Sequence, residues 1–89
     1  MLARTQISNA TANVYTCPSG KKAYVFVDVV SNDGSQVSVT LSIGDETNFQ
    51  TYWTGETNFL SVKLVLDGGD VVRVSTDGLV NVFVYGIER

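Results

Sequence analysis

Between Gln36 and Gly44 the chain reads QVSVTLSIG, a strict alternation in which Val37, Val39, Leu41 and Ile43 face one way and Ser38, Thr40 and Ser42 the other. A helix brings every third or fourth residue to one face, so this spacing fits only an extended strand with one side in a core and one in water. The rhythm recurs. Leu60, Val62, Leu64 and Leu66 alternate with Ser61, Lys63 and Val65, and further strands are expected at Asn13–Thr16, Ala23–Ser31, Phe49–Trp53, Phe59–Leu66, Val71–Thr76 and Leu79–Ile87. Turn formers punctuate the chain at Pro18-Ser19-Gly20-Lys21, Asn32-Asp33-Gly34-Ser35, Gly44-Asp45-Glu46-Thr47, Thr54-Gly55-Glu56-Thr57, Asp67-Gly68-Gly69-Asp70 and Asp77-Gly78. Asp33-Gly34 suits the positive φ of a hairpin, and the two glycines at 68 and 69 suit a tight reversal between antiparallel strands. No helical period of useful length competes. About seven or eight strands at roughly ten-residue spacing predict an all-β chain, a single small antiparallel β-sandwich or a jelly-roll-like barrel.

Two strands are apolar on both sides. In Tyr24–Val30, Val25, Val27 and Val29 form one face, while Tyr24, Phe26 and Val30 form the other around Asp28. In Val80–Ile87 the valines 80, 82 and 84 oppose Phe83, Tyr85 and Ile87. A loop or the N-terminal segment could fold over these second faces, or another subunit could cover them. A chain of 89 residues buries only roughly 60–65% of the surface its unfolded form exposes, so help from neighbours is expected. If the two strands are neighbours, their outer side chains make a patch that a monomer rarely leaves in water. Both points favour a subunit interface formed by Tyr24, Phe26, Phe83, Tyr85 and Ile87. Met1–Ala12 has only Leu2 and Ile7 as large apolar groups and reads as a mobile arm, which divides the chain into an arm of residues 1–12 and a β-domain of residues 13–89.

The chemistry available is sparse. The net charge of −3 comes without a block of like charges, which argues against nucleic-acid and membrane-surface partners. Met1–Thr11 lacks the apolar run of a signal peptide, so synthesis in the cytoplasm is expected, and the Asn9-Ala10-Thr11 sequon carries no weight. There is no histidine to activate a nucleophile, and no catalytic residue is assigned. Cys17, the single cysteine, excludes an internal disulfide and reads as an apolar filler before Pro18. Asp33, Asp45, Glu46, Asp67, Asp70 and Asp77 fall in turns, where carboxylates usually serve as solvated turn formers. Asp67 and Asp70 come nearest to a cation pair, but no segment has the spacing of a calcium loop, and no metal or cofactor is expected. The segment from Phe49 to Phe59 is the one candidate for a ligand. Phe49, Tyr52, Trp53 and Phe59 beside Gln50, Thr51 and Asn58 could stack on sugars, whereas the alternative has Trp53 and Phe59 closing one end of the sandwich or meeting a neighbouring subunit.

The order of the turns adds a resemblance. Tyr15-Thr16-Cys17-Pro18-Ser19-Gly20-Lys21, Ser31-Asn32, Leu66-Asp67-Gly68-Gly69-Asp70-Val71-Val72-Arg73-Val74-Ser75, Val80-Asn81-Val82 and Gly86-Ile87-Glu88 together resemble small β-sandwich virion proteins of tailed bacteriophages. That group includes head decoration, or cement, proteins and modules of tail proteins. The likeness spans about residues 11–88, and Cys17 stands where a small aliphatic residue is usual. It implies a non-enzymatic structural role in the virion, after synthesis in the host cytoplasm. In its most specific form it implies a decoration protein, a homotrimer that bridges subunits of the major capsid protein or another virion protein, with Leu2, Arg4 and Ile7 of the arm as capsid contacts. A tail or fibre module would share the fold with a different symmetry, and a carbohydrate-binding module is the reading from another class.

Overall fold

The computed structural model describes residues 1–45 and 47–89; Glu46, one of the turn carboxylates, lies outside the described residues. The chain forms strands β1 (Ala3–Ser8), β2 (Thr11–Thr16), β3 (Lys22–Ser31), β4 (Val37–Gly44), β5 (Phe49–Thr57), β6 (Phe59–Asp67), β7 (Val71–Thr76) and β8 (Leu79–Glu88). These build two four-stranded sheets of order β1-β8-β3-β6 and β2-β7-β4-β5, antiparallel throughout. Each strand lies beside its counterpart from the other end of the chain: β1 by β8, β2 by β7, β3 by β6 and β4 by β5. The chain is therefore one long antiparallel hairpin, doubled between Gly44 and Phe49 and wrapped so that successive arms fall in opposite sheets. That is a jelly-roll form of the small antiparallel β-sandwich; the alternation predicts the sandwich, and the order of its strands comes from the pairing.

Only β4 and β5 follow one another within a sheet. The Asp33-Gly34 and Asp67–Asp70 turns, expected as hairpins, are arches that carry the chain from one sheet to the other, and so is Asp77-Gly78. Gly34 does take the positive φ expected of it, 81°, and Gly69 takes one of 94° in its reversal. A sharp reversal, however, does not dictate whether the flanking strands bond to each other. An arch sets the apolar faces of consecutive strands opposite one another across a core, where a hairpin would set them side by side. Strand β5 runs straight through Thr54–Thr57, expected as a turn. Gly55 lies inside the strand because the Trp53 indole rests over it, with Cη2 3.0 Å from where a Cβ would stand.

The segment expected as a mobile arm is largely strand. From Ala3 opposite Val84 to Ser8 opposite Leu79, β1 pairs along its whole length with β8, and Ile7 is buried at 3% exposure. Its inward positions are Ala3, Thr5 and Ile7. With only one large apolar group the alternation is too faint to read alone, and it is the free edge of β8 that supplies the hydrogen bonds. Between the sheets, Val25, Val27 and Val29 of β3, Val39 and Leu41 of β4, Leu64 and Leu66 of β6, Val72 and Val74 of β7, and Val80, Val82 and Val84 of β8 make the core. The accessible surface of 4981 Å² is close to the roughly 5,100 Å² that a folded monomer of 9.6 kDa presents. The core thus closes without help, and whatever apolar surface remains outside is surplus to it.

Candidate interaction face

The surplus lies on one side. Because β3 and β8 are neighbours in register, Phe26 stands opposite Tyr85, Tyr24 opposite Ile87 and Asp28 opposite Phe83. Strand β6 extends each row, with Lys63 beside Phe26, Val65 beside Tyr24, Ser61 beside Asp28 and Phe59 beside Val30. The five residues expected at a subunit interface, Tyr24, Phe26, Phe83, Tyr85 and Ile87, are brought together on this outer face. Phe26 and Tyr85 stack with centroids 5.4 Å apart and planes 19° from parallel. Strand β6 adds two further members, Val65 and Phe59, which are the most exposed apolar groups of the face at 62% and 55%. Both sit at outward positions in a strand whose inward positions are leucine and valine, and that pattern was readable.

Asp28 is the acid at the centre of the face. It accepts hydrogen bonds from Tyr85 Oη at 3.0 Å and Ser61 Oγ at 2.7 Å, tying β8, β3 and β6 together across their outer surface. The bond to Asp28 pushes the Tyr85 phenol above its ordinary pKa, with burial and the carboxylate charge adding to the shift. Asp28 is thereby satisfied within its own chain, and the rings around it are free to meet a partner without stranding a charge.

The opposite sheet differs. Its outer surface carries Thr11, Asn13, Thr40, Ser42, Thr54, Arg73 and Ser75. These residues bond to each other: Thr11 Oγ1 donates to Ser75 Oγ at 2.8 Å, Thr40 and Thr54 share a bond of 2.9 Å, and Arg73 Nε donates to Asn13 Oδ1 at 2.9 Å. The sandwich is aromatic on one side and hydroxyl-rich on the other.

The four aromatic residues considered for a sugar do not converge. Trp53 turns inward over Gly55 and packs against the core. Phe49 lies on the hydroxyl-rich side with the Arg73 guanidinium 3.7 Å from its ring centroid. Tyr52 is exposed at a bulge, and Phe59 belongs to the other sheet. Beside Tyr52 there is a shallow groove of about 240 Å³ lined by Ile43, Gln50 and Thr51, below the size usual for a small-molecule site. Asp67 and Asp70 are already committed. Asp70 Oδ2 accepts from the Asp67 N–H at 2.8 Å, and Asp67 pairs with Lys22 Nζ at 3.2 Å. Among the described residues no three potential metal ligands cluster. Of the arm residues assigned to a capsid contact, Ile7 is in the core, Leu2 packs against it, and Arg4 projects outward beside Phe83.

No protein-family model matches the sequence, and no curated protein matches it. Two crystal structures of a pentameric capsid protein isolated from metagenomic phage sequences share its fold. One superposes with a TM-score of 0.59 at 11% identity over 97% of this chain and 60% of that one. The other has a TM-score of 0.57, again at 11% identity, over 96% of this chain and 64% of that one. The present chain spans less than two thirds of the length of those proteins, and at this identity the likeness establishes the common fold.

Proposed function

We propose that this chain is a non-enzymatic structural protein of a phage virion that assembles with copies of itself and buries its aromatic sheet face in doing so. The observation that carries the reading is that face: a sandwich whose core is complete still presents Tyr24, Phe26, Phe59, Val65 and Ile87 to water. An apolar surface of this kind marks an interaction site. The shared fold with a pentameric phage capsid protein supports the virion setting. Within it, the finer reading is a decoration protein that bridges subunits of the capsid, its partner being the major capsid protein or another virion protein. The two solved structures described above are of a pentameric capsid protein, so an assembly of five is the first stoichiometry to test, ahead of the trimer that the sequence resemblance implies.

Light scattering of the purified protein tests the reading. The expected mass is about five times the protomer's 9.6 kDa. The double variant Tyr24→Lys/Ile87→Lys changes two outward residues only, and is expected to give a monomer with an unaltered β-sheet circular dichroism spectrum. A wild-type protein that stays monomeric at micromolar concentration overturns the proposal.

A further inference from the structure

Strand β6 is an edge of the aromatic sheet, and its hydrogen-bonding groups can be assigned to sides. Lys22 exchanges backbone bonds with Arg89 at 3.2 and 2.7 Å, so the even residues of β3 point to β8 and the odd ones to β6, as the bond from Ser31 N–H to the Asn58 carbonyl at 2.9 Å shows. In the antiparallel register this turns Leu60, Val62, Leu64 and Leu66 toward β3 and leaves the backbone of Phe59, Ser61, Lys63, Val65 and Asp67 facing outward. The two ends of that outward row are closed by the chain itself. Thr57 Oγ1 accepts from the Phe59 N–H at 3.1 Å and donates to the Phe59 carbonyl at 2.8 Å. Asp70 Oδ2 accepts from the Asp67 N–H at 2.8 Å while the Asp70 N–H donates to the Asp67 carbonyl at 3.0 Å. Between these caps the edge is open over Ser61, Lys63 and Val65, in a strand without a bulge. Edge strands are ordinarily blunted; here the ends are closed by caps, and the open stretch carries one charged side chain, Lys63.

We infer that this open edge pairs antiparallel with the same edge of a second copy about a two-fold axis. The inference rests on the proposed self-assembly and adds to it a contact of defined register. Charge and capping select that register. Lys63 opposite Lys63 of the second copy would set two ammonium groups face to face. In the registers centred on Val65 and on Ser61, Lys63 would face the capped backbone of Asp67 or of Phe59, and one centred on Leu64 would carry Phe59 past the end of the partner strand, opposite Gly69. A slip by one residue would turn the apolar set to the wrong face. The register centred on Val62 places Ser61 opposite Lys63 of the second copy in four backbone bonds between open groups, with Val62 facing its own counterpart on the axis; beyond them Val65 stands opposite Phe59, where the cap leaves the side chains alone to meet. It pairs the two most exposed apolar groups of the face with one another and joins two four-stranded sheets into one of eight strands, with both aromatic faces on the same side and the Ser61 and Lys63 side chains between them at the axis. This contact is isologous, so it closes on itself and can link copies that also belong to a ring.

Val62 would occupy a non-hydrogen-bonded pair, where opposed Cα atoms come within about 4.5 Å, a spacing that a disulfide accepts. In a Cys17→Val background, Val62→Cys is expected to double the apparent mass on non-reducing electrophoresis after mild oxidation, and Lys63→Cys to leave it unchanged. Lys63→Pro removes one outward N–H that the monomer does not use, so it is expected to keep its β-sheet spectrum and fall to a smaller assembly by light scattering. Leu64→Pro breaks the ladder to β3 and serves as the unfolding control. Absence of the Val62→Cys dimer, a dimer from Lys63→Cys instead, or an undiminished mass for folded Lys63→Pro each overturns the inference. If the wild type is itself larger than a monomer in those cases, the proposed self-assembly stands without it.

Discussion

The Cys17 thiol is fully buried, with Sγ 3.6 Å from the Lys21 carbonyl oxygen and 3.8 Å from that of Pro18. Burial pushes its pKa above the ordinary 9.0, and the carboxylates of Glu88, Asp70 and Asp67 push in the same direction. Tyr15 is raised from 10.0 for the same first reason, then by the hydrogen bond its hydroxyl donates to Glu88. In both cases the native state keeps its proton to higher pH than the unfolded chain does. The stability this contributes is complete below the unfolded values and is lost as the pH rises through the native ones. The urea midpoint should therefore hold from neutral pH to about pH 8.5 and fall beyond it. In Cys17→Val the decline should begin nearer the ordinary tyrosine value, and at neutral pH the variant should lie within about 1 kcal/mol of wild type. A midpoint that climbs between pH 9 and 11 would contradict the assignment of both groups. As a buried, protonated thiol, Cys17 should react with Ellman's reagent only as fast as the protein unfolds.

At the level of elements, the pattern of apolar residues tells which face of a strand is buried and is silent about which strand lies beside it. Strands β3, β4, β6, β7 and β8 were legible because valine and leucine recur at every second position. The aromatic face was legible for the same reason, since the outward positions of β3 and β8 are too apolar for water. The arches were not, because Asp-Gly supplies a reversal in either topology. Nor was the dispersal of Phe49, Tyr52, Trp53 and Phe59, which follows from a bulge between Leu41 and Ser42 in the β4–β5 register and from the change of sheet at Asn58. Strand β1 was hidden by its small inward residues, yet it covers the edge of β8. Ile7→Ala is expected to cost about 2–5 kcal/mol, and removal of residues 1–8 to lower the thermal midpoint sharply; a truncated protein that melts like wild type would return this segment to the status of an arm. At Gly86 the φ of 146° and a Cβ site 2.1 Å from the Tyr24 carbonyl oxygen leave no room for a side chain. Gly86→Ala should cost at least about 2 kcal/mol in the same melts, because the backbone of β3 would have to move.

The molecule as a whole is a hairpin closed from its tip, and that topology orders its folding. The β4–β5 pair needs only the short Gly44–Phe49 connection to close. The β3–β6 pair must wait for a loop of tens of residues, and β1–β8 joins the two ends of the chain. Loop-closure entropy rises with each step outward, so the inner pairs belong to the transition state and the outer ones follow it. So many distant pairings place the folding time in the range of about milliseconds to seconds. In the Tyr24→Lys/Ile87→Lys background, where association is removed, chevron analysis should give Leu41→Ala a φ-value well above that of Ile7→Ala, which should lie near zero. The order bears on assembly. The aromatic face is shared among β8, β3 and β6, and β8 joins it through its long-range pairing with β3, so no chain lacking that pairing presents the complete face. Refolding of the wild-type protein should accordingly show a concentration-independent phase that builds the β-sheet signal, followed by a concentration-dependent phase that builds mass. If scattering rises with or before the circular dichroism signal, association begins on an incomplete face, and the proposed order of closure is wrong.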